Sequence, residues 1–314
     1  MKKIQYLIAI VLVVIACNKQ EIVLNVHKTL PIKVSLGGEF SNNETPLSKS
    51  GETKYLYGIQ VINSSTNEPF AIGLFDNIDD VNVNLLAGYV YKFKVTLIKN
   101  GKDVISPASG GIYNQQVFAG LQLTNSFNYT SLNNYGATLD SSGGRDGYSN
   151  RITYQYDRYY GEVANYSPEV NGSIIIPLKH VVYGLRYSIS GLTDGSLALT
   201  VVNPAPQLSD TDTYTLFNVS NITSDVESDE HVFQCRDIVS AYQNPTTYKE
   251  TLTLSLVWTR ENSISQNLGS VSIDVLRNRL NIININLTAT DVDTPFGITL
   301  ADSEMGDESI VINL

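Results

Sequence analysis

Cysteine is almost missing from this 314-residue chain, which has two, Cys17 and Cys235. With Cys17 inside an N-terminal signal, Cys235 has no intramolecular partner, so no disulfide framework holds the fold. In Phe233-Gln234-Cys235 it reads as a small buried apolar residue. The three histidines, His27, His180 and His231, stand far apart with no second ligand at metal spacing. His180, between Lys179 and Val181, reads as a partly exposed strand residue. No Gly-x-Ser-x-Gly elbow occurs, and the glycine-rich stretch from Ser141 to Gly147 lacks the Lys-Ser/Thr pair of a phosphate cradle. Catalytic, cofactor-binding and metal-ligating residues are therefore expected to be none, and the chain is read as a non-enzyme. Basic residues are also few, 21 against 31 acidic ones. That balance excludes the clustered Lys and Arg a nucleic-acid backbone demands and gives a soluble, self-repelling surface. Long apolar runs are lacking as well. The stretch from Leu7 to Ala16 is half of the roughly 20 residues a membrane-spanning helix needs.

That stretch has another use. Lys2 and Lys3 precede it, Cys17 follows, and Asn18-Lys19-Gln20-Glu21 ends the apolar character. A basic region, a ten-residue apolar core and a small residue before the cut make a secretory signal over residues 1–17. Its removal takes two lysines from 21 basic residues and no acid from 31, leaving 19 against 31 and a net charge of about −12. Val14-Ile15-Ala16-Cys17 resembles the lipobox of bacterial lipoproteins, the alternative being an ordinary signal peptide that ends near a cysteine. The resemblance implies acylation of Cys17, palmitate included, and several acyl chains anchor a protein stably. Residues 18–21 resemble the export signal of surface lipoproteins of Bacteroidota, with Gln20 where an acid is expected. An outer-membrane lipoprotein exposed on the cell surface is implied.

Beyond residue 21 the apolar residues alternate with a period of two. Ile22, Leu24 and Val26 face one way, and Leu30, Ile32, Val34 and Leu36 continue the pattern. Residues 37–54, rich in Gly, Ser, Asn and Lys, read as a protease-accessible connection. Strands follow at 54–61, 70–75 and 81–85, and the clearest sets Tyr89, Tyr91, Phe93, Val95 and Leu97 against Val90, Lys92, Lys94 and Thr96. Asn100-Gly101 after it is a type I′ hairpin signal. The second half repeats the pattern in 173–178, 183–189, 197–201, 213–219, 251–258, 271–276 and 281–289. No stretch has the period of a long amphipathic helix. The expectation is an all-β chain of two β-sandwiches in series, residues 18–165 and 166–314.

Several stretches together resemble the fimbrillin-like (Mfa-like) pilus subunits and surface lipoproteins of Bacteroidota. They are the lipobox, Tyr55-Leu56-Tyr57-Gly58, Leu85 to Phe93, Pro177 to Arg186, and Leu276-Arg277-Asn278-Arg279-Leu280 to Ile285. The resemblance implies two transthyretin-like β-sandwich domains and a structural or adhesive role in a cell-surface fimbria. Its partners would be other fimbrial subunits joined by strand exchange, with the outer membrane held through the N-terminal lipid. The removable strand would lie in Ile22–Leu36 and the donor in Ser309–Leu314. Family members cut by an arginine-specific protease carry an arginine after the first strand. This chain has none before Arg145, and Lys49 and Lys54 are what a protease would find there. The alternative is a monomeric lipid-anchored surface protein that binds a glycan or host protein.

For such a ligand, Tyr154, Tyr156, Tyr159 and Tyr160 are the candidate residues, in a crowd that also holds Tyr148 and Tyr166. The competing reading is that these rings close the seam between the sandwiches, where large amphipathic side chains are needed. Acidic groups at Asp76-Asn77-Ile78-Asp79-Asp80, at Asp140 with Ser142 and Asp146, at Asp225 to Glu230 and at Asp291 with Asp293 have oxygen ligands for calcium. None keeps a full calcium-loop spacing, and they read as solvated turns.

Overall fold

The computed structural model describes residues 28–40, 54–79, 81–107, 111–112, 116–129, 139–140, 156–169, 172–204, 213–287 and 297–304. The chain is all-β. Its first strands are β1 (Thr29–Gly38), β2 (Leu56–Asn63), β3 (Glu68–Phe75), β4 (Asn82–Leu86), β5 (Tyr91–Ile98), β6 (Ser126–Asn128), β7 (Arg158–Tyr166) and β8 (Ser173–His180). Among the described residues they form one sheet in the order β4-β1-β8-β7-β5-β2-β3-β6. The β7–β8 link is short, Tyr159 to His180 and Tyr160 to Lys179. The sheet turns there, so β4-β1-β8 faces β5-β2-β3 across a core that includes Ile32, Val34, Val83, Ile176, Ile59, Val61, Phe93 and Val95.

Alternation explains this face, and β2 and β5 depart from it for a physical reason. Leu56, Ile72, Leu74 and Ile98 point away from the first core, yet they too are buried, under Ile105, Val117, Phe118, Leu121, Leu139 and Tyr156. Both faces of the central strands are therefore apolar. The expected hairpin at Asn100-Gly101 is not made. Asn100 does take the left-handed conformation, φ 54°, but Gly101 then opens a four-residue helical turn, α1 (Gly101–Val104). A Cβ on Gly101 would stand 2.8 Å from Leu56 Cβ, so the chain packs where a side chain has no room. Strand β5 pairs with β2 and β7 instead.

The second half holds β9 (Val182–Ser190), β10 (Ser196–Pro204), β11 (Thr213–Ile222), β12 (Val226–Glu227), β13 (His231–Gln234), helix α2 (Ile238–Gln243), β14 (Lys249–Thr259), β15 (Ser265–Leu276), β16 (Arg279–Asn286) and β17 (Gly297–Glu304). One sheet runs β11-β10-β14-β15. The other runs β12-β9-β16-β17, with β13 also on β9. Leu199, Val201, Leu254 and Leu256 from the first meet Leu185, Ile189, Ile283 and Ile285 from the second in a single core. Cys235 is free and fully buried there. Helix α2 starts where the Asp237 carboxylate accepts from Ser240 N at 2.8 Å.

Strand β8, expected at the opening of the second half, hydrogen-bonds to β1 and β7 and puts Ile174, Ile176 and Leu178 into the first core. After β8 the second core begins at Val181, and Tyr160 of β7 already reaches into it. A division at 165/166 therefore separates β8 from the strands it pairs with. The alternation tells which residues of a strand are buried; it does not tell which sheet buries them.

Candidate functional site

Strand β1 has neighbours on both sides. Its first residues pair antiparallel with β4, from Thr29–Leu86 to Lys33–Asn82. Its later ones pair parallel with β8, from Lys33–Ser173 to Gly38–Leu178. Lys33 is the residue the two ladders share. Leu30, Ile32 and Val34 point inward and are buried, as is Phe40 beyond the strand end. Each such side chain contributes about 2 kcal/mol by leaving water. Without β1, the edges of β4 and β8 would face an empty slot with unpaired backbone groups and apolar sockets. Gly38 closes the strand at φ 83°, and a Cβ there would lie 2.5 Å from Leu178 O. The tight approach lets Glu39 N donate to Leu178 O at 2.8 Å.

Directly behind this strand end the two halves of the chain meet through charged groups. Arg277 Nη1 and Nη2 donate to the two carboxylate oxygens of Glu39 at 2.7 and 2.9 Å. The same guanidinium donates to His180 O at 2.6 Å and to Pro245 O at 3.0 Å. His180 N donates to Glu39 Oε2 at 2.9 Å. Burial pushes the Glu39 carboxyl up, but the hydrogen bonds and charge of Arg277 and the bond from His180 N outweigh it and hold the group below the usual carboxylate range. The His180 ring contacts Asp157 through Nε2 and Asn278 Oδ1 through Nδ1, the latter at 2.6 Å. Burial raises the Asp157 carboxyl, and the partners His180 and Lys99 more than reverse that. His180 is thus a buried, doubly bonded residue, not the partly exposed one expected. Its ring also stacks on Tyr159 at 4.4 Å between centroids.

Arg158 lies deeper, with 0% of its surface exposed. It donates to Thr96 Oγ1 at 2.8 Å and Leu139 O at 2.6 Å in the first half, and to Gln234 Oε1 at 2.8 Å in the second. Burial brings the guanidinium down to about 10. Sequence reasoning missed Glu39, Arg158 and Arg277 as a connected system, since Glu39 and Arg277 are 238 positions apart. The one available signal was a pair of arginines in the run Leu276 to Arg279, next to the turn at Asn278.

The expected ligand residues are elsewhere than on a surface. Tyr156 is in the small core under β2 and β3. Tyr159 is in the first core, edge-on to Phe40 at 5.6 Å. Tyr160 is in the second core, edge-on to Tyr242 at 5.5 Å, and donates to Glu162 at 3.1 Å. All three rings are buried and give a stacking ligand no open face. Tyr154 and Tyr148 lie outside the described residues, as do Cys17, the 309–314 tail and the acids at 291 and 293. Asp76 is taken up by Lys102 at 2.7 Å and Asn125 at 2.8 Å. Among the described residues no three His, Cys, Asp or Glu side chains gather as metal ligands.

No family model matches the chain, and no curated protein matches it at a significant level. Among solved structures it is similar to the fimbrial anchor protein Mfa2 from Porphyromonas gingivalis, with 9% identity over 88% of this chain and 98% of that one and a TM-score of 0.44. It is also similar to the tip fimbrial protein Mfa3 from Porphyromonas gingivalis, with 11% identity over 88% and 100% and a TM-score of 0.40. A proposed cell adhesion protein from Bacteroides eggerthii has 12% identity over 88% and 96% and a TM-score of 0.44.

Proposed function

We propose that this chain is a structural or adhesive component of a cell-surface fimbria, a subunit or an anchor, that joins its neighbours by β-strand complementation. The observation that supports the reading is the setting of β1. It is the first described strand, it is seated between β4 and β8, and it connects to β2 through residues 41–53. Withdrawal of β1 would take from β4 its one hydrogen-bonded neighbour among the described strands, and the slot between β4 and β8 would accept a strand from another subunit through backbone hydrogen bonds and alternate side-chain sockets. Acylation of Cys17 would hold the N-terminal end at the outer membrane. In an anchor, β1 stays in place; in a stalk subunit it leaves.

Limited proteolysis of the mature chain within residues 41–53, followed by size analysis and mass spectrometry, tests the reading. Loss of the Asn18–Phe40 segment with formation of multimers supports strand exchange. A nicked chain that keeps the segment and stays monomeric, even with added subunits, removes the stalk role and leaves an anchor or a monomeric surface binder. Substitution Cys17→Ser tests the anchor independently: palmitate labelling and membrane fractionation should both be lost.

A further inference from the structure

We infer that the pocket formed by the Arg277 guanidinium and the His180 backbone N–H is a carboxylate-binding site that selects which strand the β1 slot accepts, a reading that rests on the strand-exchange proposal. The site is built by parts of the protein other than β1. Arg277 follows β15, and the carbonyls of Pro245 and His180 fix its plane at 3.0 and 2.6 Å. Its side chain is 6% exposed, whereas that of Glu39 is 34% exposed. With β1 seated the guanidinium is buried, and the carbonyl oxygens that orient it leave its positive charge unbalanced. The balancing anion arrives on the strand itself, as the Glu39 carboxylate with two guanidinium bonds and one from His180 N. Asp157, the acid that the His180 ring contacts, is paired with His180 and Lys99.

Apolar sockets alone discriminate poorly, because any alternating strand fills them. A buried cation that needs an anion discriminates strongly, since a strand lacking the acid leaves the charge unpaired. The position is defined by register. The acid comes five residues after Val34, the last fully buried inward residue of β1, and just past the positive-φ Gly38. A strand with its acid shifted by one or two residues would fill the sockets and miss the arginine.

The test uses the full mature chain nicked within residues 41–53 and two labelled synthetic peptides, residues 28–40 and the same peptide with Glu39→Gln. Since only the peptide changes, the fold of the receiving chain does not. The expected result is entry of the natural peptide and at least about tenfold weaker binding of the glutamine peptide, mostly through faster release. In an Arg277→Met chain the difference between the peptides should vanish. Equal binding of both peptides to the unaltered chain, or discrimination that survives Arg277→Met, overturns the carboxylate site and leaves strand exchange standing. If neither peptide enters after the resident segment has been released in mild urea, the strand-exchange reading falls, and the site falls with it.

Discussion

Arg158→Met is the perturbation that probes most directly how the two halves depend on each other. Arg158 is completely buried at the start of β7 and donates to Thr96, Leu139 and Gln234. Hydrogen bonds from a charged donor are worth about 1.5–3 kcal/mol each, so three of them represent roughly 5–9 kcal/mol. Methionine has similar bulk and returns the desolvation cost of the guanidinium, which is several kcal/mol. The balance is a loss of about 3 kcal/mol. The chain has one tryptophan, Trp258, and it sits in the second core, where its Nε1 donates to Asp194 O at 2.8 Å. Its fluorescence therefore reports the half that Arg158 enters through the bond to Gln234 alone among the bonds above. With a urea slope of about 3 kcal/mol per molar, the Trp258 midpoint should fall by about 1 M. A Trp258 midpoint that stays within about 0.2 M of the unaltered protein, while circular dichroism shows a weakened first half, would refute coupling through Arg158.

Glu39 predicts a pH dependence. Its carboxyl is held below the ordinary 4.5 when folded, so its contribution is complete above that value and disappears as pH falls through the folded value. The stability gap between the unaltered chain and Glu39→Gln should be open at pH 7 and close on acidification below about 4.5; a gap of constant size down to pH 3 contradicts the ion pair. Gly38→Ala should cost about 1–2 kcal/mol in left-handed strain, with more from the clash with Leu178 O, and hydrogen exchange at the Glu39 amide should speed up markedly. Unchanged exchange there would mean that β1 and β8 do not meet as closely as described. Burial, with the Glu250 charge, pushes the Cys235 thiol well up, so maleimide should label it only on unfolding, and prompt labelling of the native protein at neutral pH would count against its place in the core.

Most strands were legible as sequence. Leu30 to Leu36, Tyr91 to Leu97, Tyr183 to Ile189 and Thr251 to Trp258 alternate, and each lies in a strand with its larger apolar residues inside. Strand β7 was less so. Its sequence Arg-Tyr-Tyr-Gly-Glu-Val-Ala-Asn-Tyr does not alternate cleanly, because Arg158, Tyr159 and Tyr160 are all buried, each in a different environment. Strand β17, beginning at Gly297, and the short helix α2 gave no periodic signal long enough to read.

The sequence by itself determined that the chain is all-β, which residues of most strands face a core, and that Cys235 is a buried small residue. These follow from the period-two geometry of a strand and from transfer out of water, both local properties. The tertiary structure alone decided that β1 runs parallel to β8, that β8 belongs with the first core, and that Arg277 answers Glu39. A strand's side chains name the face to be covered but carry no record of the partner strand, and a charge on one segment does not reveal which distant segment will balance it. Those choices are made when backbone edges and buried charges are satisfied together, across 238 positions of chain in the case of Glu39 and Arg277.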